Sequence, residues 1–358
     1  MKSGLEDVIA AETVLSEVDG KAGRLIVRGV SLDDLVRTHR FEDVVALLFD
    51  GFFAGAPTAP ALGAARAKVF EHVAAADDLV LKLTPIEAMR ALTARLPDGD
   101  DLDAALTLLA APAVFLPAVL RLAEGKEAIA PDPGLSQAAD VLRMLTGTMP
   151  SGQQVAALDT YLVTVADHGL NASTFASRVV ASTGAGLTSS ALAALGALKG
   201  PLHGGAPGPV LDMLDAIGTP ERAEAWLDAA LARGERLMGF GHRIYRVRDP
   251  RADALKYALS GLSETGAVNA ERLRLAEEVE KIALASLQRN KPDRVLETNV
   301  EFYTALLLET LGFPRSAFTG VFAIGRMAGW LAHAREQATG GRLIRPASLY
   351  VGPLPNAA

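Results

Sequence analysis

Helical periodicity runs through almost the whole chain after residue 30, and this feature most limits the possible fold. Residues 41–48 carry apolar side chains at helical spacing, and so do residues 275–287, whose helix Pro292 would end. No segment after residue 30 is strand-rich. Half of the residues are hydrophobic but only 5% are aromatic, as expected when Ala and Leu, both strong helix formers, dominate. The sequence therefore predicts a nearly all-α protein.

The first thirty residues are the exception to this pattern and predict a β-hairpin. Residues 13–18 and 24–28 would form its two strands, joined by a turn at Asp19-Gly20. Leu25 and Val27 lie two residues apart in the second strand, so both would face the protein core.

Composition excludes several classes of function. The formal net charge of −7 argues against a nucleic-acid partner, which would require a basic face. The chain has no cysteine, so it forms no disulfide, thiolate metal site or cysteine nucleophile. The N-terminus becomes acidic before any apolar run begins, which is not typical of a secretory signal.

Two long uncharged stretches raise the question of a membrane span. Residues 104–120 contain two prolines, and residues 179–198 are long enough to span but are rich in Gly, Ser and Thr. Because both lack aromatic belts, we interpret them as helices buried in a globular core. We expect a soluble, cytoplasmic protein without a membrane partner.

Charge is unevenly distributed along the chain. Residues 151–200 are poor in charge and rich in Ala, Ser and Gly, which is typical of closely packed central helices. Residues 220–295 are rich in charge, which favours a smaller and more exposed lobe. No internal repeat or low-complexity linker separates the two, so one domain inserted within another fits better than two domains in series.

Three of the six histidines lie in glycine-rich surroundings. They are His168 in DHGLNAS, His203 in GPLHGGA and His242 in MGFGHR. A single histidine is more often structural than catalytic. Flanking glycines, however, let the backbone approach a ligand closely and place the side chain in a loop or at a helix end. We therefore interpret His203 and His242 as functional residues.

Several common motifs are absent. The Gly239-Phe240-Gly241 segment matches half of a dinucleotide fingerprint, but no strand precedes it and the third glycine is missing. The chain has no Walker loop, HExxH motif or serine-nucleophile elbow. A three-histidine metal centre is conceivable, but no i, i+4 histidine pair supports it, so no metal site is predicted.

Three arginines complement these histidines. Arg251 follows a proline, Arg326 lies within an apolar helical stretch, and Arg345 precedes a proline near the C-terminus. A guanidinium buried in an apolar helix requires an anionic partner. If these arginines converge, their bidentate donors would form a site for a small polycarboxylate.

Taken together, these segments resemble the citrate synthase family. The likeness extends over essentially the whole chain in the expected order and includes the N-terminal hairpin, VDGKAGRLIVRG. The stretches that carry it are GPLHGGAP around His203, MGFGHRIYRVRDPRA around His242, NVEFY around Glu301, FTGVFAIGRMAGWLAH around Arg326 and RLIRPASLYVG around Arg345.

The resemblance implies an all-α homodimer with a shared active site. Residues 1–205 and 307–358 would form a large helical domain, and residues 206–306 a smaller domain that closes over the cleft. The implied reaction condenses oxaloacetate with acetyl-CoA and then hydrolyses the thioester. Coenzyme A thioester would be a co-substrate, with no permanently bound cofactor and no metal.

The resemblance also implies a role for individual residues. His203 and Glu301 would act on the thioester, and His242 would polarise and protonate the keto oxygen of oxaloacetate. The oxaloacetate carboxylates would be bound by His168, Arg251, Arg326 and, from the other subunit, Arg345. Coenzyme A would be bound by Arg246 and by the backbone of Met238, Gly239, Phe240 and Gly241.

The chain departs from the family pattern at two positions. Glu301 stands where the family usually has Asp, and the extra methylene moves the carboxylate by roughly 1.5 Å if the backbone stays in place. A misplacement of about 1 Å can cost roughly a hundredfold in rate. Glu keeps the charge and a similar pKa, so we interpret it as a retained base. The second departure is Pro207, where the family commonly has Asn; it removes a backbone donor near the hinge.

Three alternatives remain open at this point. A 2-methylcitrate synthase, which uses propionyl-CoA, would share all of these motifs. A binding or regulatory paralogue would keep the oxaloacetate pocket but lose turnover through Glu301. A citrate-cleaving lyase would produce acetyl-CoA instead of releasing CoA on condensation, and is less consistent with the motifs.

Overall fold

A computed structural model gives the fold of the chain. It describes residue 5 and residues 8–201, 203, 207–242, 244–245, 247–263, 269–291 and 295–353, with the backbone alone at residues 207 and 263. Arg246 and Pro292 therefore lie outside the described residues.

The described part of the chain is mostly helical, which confirms the predicted fold class. Its three strands are β1 Ser16–Asp19, β2 Arg24–Val27 and β3 Val30–Ser31. The α-helices are α1 Leu32–Thr38, α2 Phe41–Phe49, α3 Ala59–Phe70, α4 Pro85–Thr93, α5 Leu102–Ala123, α6 Gln137–Thr146, α7 Gly152–Val165, α8 Ala172–Ala181, α9 Leu187–Leu198, α10 Pro207–Ile217, α11 Pro220–Ala232, α12 Pro250–Ser263, α13 Ala270–Asn290, α14 Val300–Thr310 and α15 Phe318–Gly340. Short 3₁₀ helices cover Glu71–Ala75, Val80–Lys82 and Arg315–Ala317.

The N-terminal hairpin forms a three-stranded antiparallel sheet in the order β1-β2-β3. Its register pairs Val18 with Leu25 and Ser16 with Val27. Leu25 and Val27 are both buried, as their alternation predicts. The first strand is shorter than the predicted 13–18, and the short β3 extends the hairpin by one strand.

The two uncharged stretches have different structures. The first forms α5, which is long and apolar enough to cross a membrane, but 83% of its apolar window is buried inside the protein. A core helix of a globular protein has the same properties, so this helix is weak evidence for a membrane span. The second stretch is divided between α8 and α9, with Gly184 and Gly186 at positive φ between them.

Helix α15 is the central element that positions the candidate site. It packs against α5, α7, α8 and α9. A Cβ at Gly325 would lie 2.9 Å from the carbonyl oxygen of Leu162, and one at Gly329 would lie 2.4 Å from that of Ala166. Because only glycine allows so close an approach, Arg326 and Trp330 are held directly against the C-terminal end of α7.

A buried carboxylate joins the helices between residues 248 and 303. Glu280 on α13 accepts hydrogen bonds from Thr298 Oγ1 at 2.7 Å, Arg248 at 3.0 Å and Tyr303 on α14. Lys256 on α12 adds an ion pair at 3.2 Å. These contacts fix α14 relative to α12 and α13.

The helices of residues 207–306 share one continuous hydrophobic cluster with the rest of the chain. The domain boundaries, 1–205 with 307–358 and 206–306, stay predictions. Pro207 is the first residue of α10, where a helix does not use the backbone N–H. Its missing donor therefore costs this helix nothing.

Candidate active site

Arg251 and Asp249 form a buried bidentate pair at the start of α12. The Arg251 Nε and Nη2 atoms lie 3.0 and 2.8 Å from the two carboxylate oxygens of Asp249. The same carboxylate accepts the backbone N–H of Val300 at 3.2 Å, which ties this pair to the first turn of α14. Burial opposes ionisation, but Asp249 holds the pKa of Arg251 above its ordinary value. Arg251 is therefore a fixed positive charge.

His242 has its two ring nitrogens in different roles. Its Nδ1 accepts the backbone N–H groups of Ile244 at 3.0 Å and Tyr245 at 3.1 Å. The proton of the neutral ring must therefore lie on Nε2. Burial and the Arg251 charge lower the pKa of His242 to about 4, so the ring is neutral at pH 7.

The Nε2 of His242 lies 3.2 Å from Nη2 of Arg251. An arginine nitrogen is only a donor, and the protonated Nε2 is a donor as well. The two N–H groups therefore do not satisfy each other. They can both donate to an oxygen placed between them, which is the geometry expected of a carbonyl or carboxylate site.

His168 is buried beside this pair. Its ring centroid lies 5.9 Å from that of His242, and its Nε2 lies 3.1 Å from the Tyr245 hydroxyl. Burial and the charges of Arg251 and Arg326 hold its pKa well below the ordinary value. His168 is therefore a second neutral imidazole in the same cluster.

Arg326 supplies the second buried guanidinium. Its Nε donates to the carbonyl oxygen of Val165 at the end of α7, and its guanidinium lies 4.7 Å from the Phe322 ring centroid. Burial and Arg251 lower the pKa of Arg326 to about 10, although Asp167 opposes the shift. Two guanidiniums that repel each other in a buried site are stabilised by an anionic ligand.

Glu301 lies in the first turn of α14, after the N-cap residue Asn299. Burial raises the pKa of this carboxyl to about 7, against the opposing charges of Arg251 and Arg326 and with a further increase from Asp249. A carboxylate with a pKa near 7 is suited to accept a proton at neutral pH.

His203 is anchored by a hydroxyl group. Its Nε2 lies 2.7 Å from Oγ of Ser173 on α8. This oxygen also accepts the indole N–H of Trp330 at 3.1 Å and lies 2.8 Å from Oδ1 of Asn171. Oδ1 already accepts the backbone N–H groups of Ser173 and Thr174, both at 3.1 Å. The serine hydroxyl donates either to Asn171 Oδ1 or to His203 Nε2, and the second arrangement places the proton of a neutral ring on Nδ1.

The glycine-rich loop 238–241 lies beside the helix that carries Glu301. Gly239 and Gly241 both have positive φ, at 84° and 78°. The backbone N–H of Gly241 donates to the backbone carbonyl oxygen of Glu297 at 2.7 Å, and that of Asn299 donates to the carbonyl oxygen of Gly239 at 2.9 Å. The loop is thereby attached to the segment directly before Glu301.

The structure brings most of the predicted residues together. Contacts or electrostatic interactions join His168, His242, Arg251, Glu301 and Arg326 into one cluster. His203 contacts Ser173 in the first turn of α8. Ser173 follows His168 by five residues, so this contact links His203 to the segment that carries His168. Met238 and Phe240 lie in the loop beside them, with the Phe240 ring 5.3 Å from that of Phe302 on α14.

Two predicted residues are not part of this cluster. Arg345 lies in the exposed C-terminal segment that follows α15. Arg246 is outside the described residues. The described residues contain no group of His, Asp and Glu side chains arranged to hold a metal ion.

Sequence reasoning did not assign several residues that the structure places in the site. They are Ser173, Trp330, Asp249, Tyr245 and Tyr161. Ser173 and Asp249 lie within segments already singled out for their histidines and arginines, so proximity in sequence was a usable signal. Nothing in the sequence pattern distinguishes Tyr161 from an ordinary core residue.

The cluster combines three chemical capacities. The guanidiniums of Arg251 and Arg326 can bind the carboxylates of a small anion. The Nε2–H of His242 can donate to a carbonyl oxygen of the same molecule. Glu301 can remove a weakly acidic proton, provided that a donor such as His203 stabilises the charge that develops.

Comparison with known proteins matches the chain to one family. The model of the citrate synthase C-terminal domain matches residues 4–347. A Mycobacterium tuberculosis protein named "Putative citrate synthase 2" is 40% identical, and the match covers 99% of this chain and 94% of that protein. A 2-methylcitrate synthase of Mycobacterium tuberculosis is 36% identical, over 98% of this chain and 91% of that enzyme.

Solved structures show the same fold. Citrate synthase from Thermotoga maritima superposes with a TM-score of 0.85 at 32% identity, covering 100% of this chain and 98% of that one. Citrate synthase from Thermoplasma acidophilum, in a ternary complex with carboxymethyl coenzyme A and oxaloacetate, has a TM-score of 0.84 at 28% identity. That match covers 99% of this chain and 97% of the archaeal one.

Proposed function

Because the chain belongs to the citrate synthase family, we propose that it condenses acetyl-CoA with oxaloacetate and hydrolyses citryl-CoA to citrate and CoA. The observation that carries this proposal is the pair of donor atoms that face each other 3.2 Å apart, His242 Nε2 and Arg251 Nη2. The pair suits a keto acid, because one donor can contact the keto oxygen while the arginine binds a carboxylate. The Arg326 guanidinium is a second anchor for a dicarboxylate.

The condensation begins with removal of a proton from the acetyl methyl group. Such protons are weakly acidic, so Glu301 must act together with a donor at the thioester oxygen. We assign the donor role to Nδ1–H of His203, the tautomer of the neutral ring when the Ser173 hydroxyl donates to Nε2. The resulting enol attacks the keto carbon while His242 donates its Nε2 proton to the keto oxygen. Water then cleaves the thioester, and this hydrolysis makes the overall reaction effectively irreversible.

We further propose a homodimer in which Arg345 completes the partner's site. Arg345 is exposed and lies in a segment without regular secondary structure, together with the exposed apolar side chains of Leu343, Leu349 and Val351. Exposed apolar residues of this kind are suited to pack on a second copy of the chain. We also propose that the enzyme acts in the cytoplasm and uses CoA thioester as a co-substrate without a permanently bound cofactor.

A CoA-release assay tests the proposed reaction. Purified protein with oxaloacetate and acetyl-CoA should release CoA, and His242→Ala should reduce the rate by at least about a hundredfold. His72→Ala is a matched control, because His72 lies in a 3₁₀ helix near the surface and should leave the rate unchanged. Failure of the wild type to release CoA from any acyl-CoA, with oxaloacetate binding intact, would contradict the enzyme proposal and favour a binding paralogue.

The second candidate is 2-methylcitrate synthase, which the 36% identity to the Mycobacterium tuberculosis enzyme favours. The two activities differ by one methylene on the acyl group. A hydrophobic pocket discriminates such a difference by only about 10- to 200-fold. The assay therefore compares kcat/KM for acetyl-CoA and propionyl-CoA, and a higher value with propionyl-CoA would replace the first proposal by the second.

A further inference from the structure

The side chain of Tyr161 is fully buried on α7, and its hydroxyl has no hydrogen-bond partner among the described residues. Buried hydroxyl groups are nearly always paired, because an unpaired one destabilises the folded state. A tyrosine whose hydroxyl only filled space would be replaced by phenylalanine at no cost. The unpaired hydroxyl therefore requires an explanation.

Tyr161 is close to the cluster of site residues. It lies one helical turn before Val165, whose carbonyl oxygen holds Arg326, and seven residues before His168. In addition to burial, the Glu301 charge raises the pKa of Tyr161, whereas Arg326 and Arg251 lower it. The hydroxyl thus experiences the charges of three site residues that come from α12, α14 and α15.

Only one of these three charged groups can accept a hydrogen bond from the hydroxyl. The guanidiniums of Arg251 and Arg326 are donors without an acceptor atom. The Glu301 carboxylate is an acceptor, and no described side chain donates a hydrogen bond to it. An unpaired donor on α7 and an acceptor on the contacting helix α14 therefore lie in the same charged environment.

We propose that Tyr161 is a positioning residue for Glu301, donating a hydrogen bond to its carboxylate when oxaloacetate is bound. This inference rests on the proposed function, since it treats Glu301 as the base. Glu has one more rotatable bond than the Asp usual in the family, so its carboxylate has more positions to occupy. A donor to the carboxylate selects one of these positions and stabilises the charged form. Arg251, Asp249 and Arg326 are the other charged groups that act on Glu301.

The test is a double-mutant cycle of Tyr161→Phe and Glu301→Asp. In the Glu301 background, Tyr161→Phe should lower kcat about tenfold or more and shift the acidic limb of the kcat profile to higher pH. The affinity for oxaloacetate, measured by calorimetry, should stay within about twofold. In the Glu301→Asp background the shorter carboxylate should not reach Tyr161, so we expect Tyr161→Phe to change neither kcat nor its pH profile.

Thermal unfolding separates this role from a structural one. Without substrate, Tyr161→Phe should hold or raise Tm, because it removes an unpaired buried hydroxyl. Tyr303→Phe is the matched control on α14 and should lower Tm, since that hydroxyl donates to Glu280. An equal loss of oxaloacetate affinity in both backgrounds would overturn the proposal, because the substrate would then be the acceptor. Unchanged kcat and pH profile would also overturn it.

A titration that needs no turnover separates this inference from the proposed function. The Glu301 carboxyl signal is followed by ¹³C NMR with labelled glutamate and oxaloacetate present, and Glu301→Gln identifies it. Tyr161→Phe should raise the pKa of Glu301, because the charged form loses a donor. An unchanged pKa would overturn the pairing. Absence of CoA release by the wild type would contradict the proposed function without affecting this result.

Discussion

The Nε2 atom of His203 lies 2.7 Å from the hydroxyl oxygen of Ser173, whose other close neighbours are the indole nitrogen of Trp330 and Oδ1 of Asn171. One serine proton thus has two possible acceptors. Asn171 Oδ1 also accepts two backbone N–H groups, so it keeps hydrogen-bond donors when the serine donates to the histidine. The proposed donor role of Nδ1–H requires that second arrangement, in which this one hydroxyl sets the tautomer of His203.

Removing this hydroxyl should damage the chemical step more than substrate binding. Ser173→Ala leaves Nε2 without its donor, so the proton of His203 is no longer directed to Nδ1. We expect kcat to fall about a hundredfold while the affinity for oxaloacetate stays within about threefold. Ser177→Ala is the control: Ser177 is also buried on α8, one turn further on. Equal kcat losses in both variants would contradict the tautomer role.

Asp249 should control both the oxaloacetate affinity and the position of α14. Asp249→Asn removes the charge that orients Arg251 and weakens the contact to Val300 N. Breaking a buried charged pair from one side costs about 3–5 kcal/mol, so Tm and the oxaloacetate affinity should both fall clearly. Asp253→Asn is the control, because Asp253 and its partner Arg248 are more exposed than Asp249 and Arg251. It should change Tm and the oxaloacetate affinity little. Calorimetric titration and thermal unfolding measure the difference.

The rate should depend on pH through Glu301. Burial raises the pKa of this carboxyl to about 7, so the base is protonated below that pH. We expect kcat to rise with pH and level off above about 7. If kcat instead levelled off above about pH 4.5, the pKa of the Glu301 carboxyl would not be raised in the functional state.

The same carboxyl should reduce stability at alkaline pH. Its pKa in the folded state exceeds that of the unfolded chain, so its ionisation opposes folding fully above about pH 7 and not at all below about pH 4.5. The cost at pH 8 is on the order of 3 kcal/mol. Glu301→Gln should therefore abolish activity yet raise the free energy of unfolding at pH 8. The gain should shrink as the pH falls towards 4.5, and denaturant unfolding at several pH values checks this trend.

Arg345 should act on the partner's site. Arg345→Ala should raise KM for oxaloacetate strongly, whereas Arg342→Ala, in the same exposed segment, should change it little. Mixed dimers of Arg345→Ala with His242→Ala contain one site that carries both defects and one that carries neither. Unfolding and refolding the two variants together should therefore restore part of the activity. No recovery in verified mixed dimers would contradict a shared site.

The sequence determined the helical fold because apolar spacing and residue propensity are local properties. Leu25 and Val27, alternating in a strand, face the core as predicted. The glycine-flanked histidines and the buried arginine of α15 were also visible, because unusual local composition signals a constrained backbone or a required partner.

Only the tertiary structure decided how these residues work together. The tautomer of His242 depends on two backbone N–H groups, and that of His203 on Ser173, 30 positions earlier. The raised pKa of Glu301 arises from burial and from the charge of Asp249, against the opposing charges of Arg251 and Arg326, and all of these groups act across the packed helices. The unpaired hydroxyl of Tyr161 is recognisable only once its surroundings are known. Proton positions and pKa values are set by neighbours in space, and these neighbours are far apart in the chain.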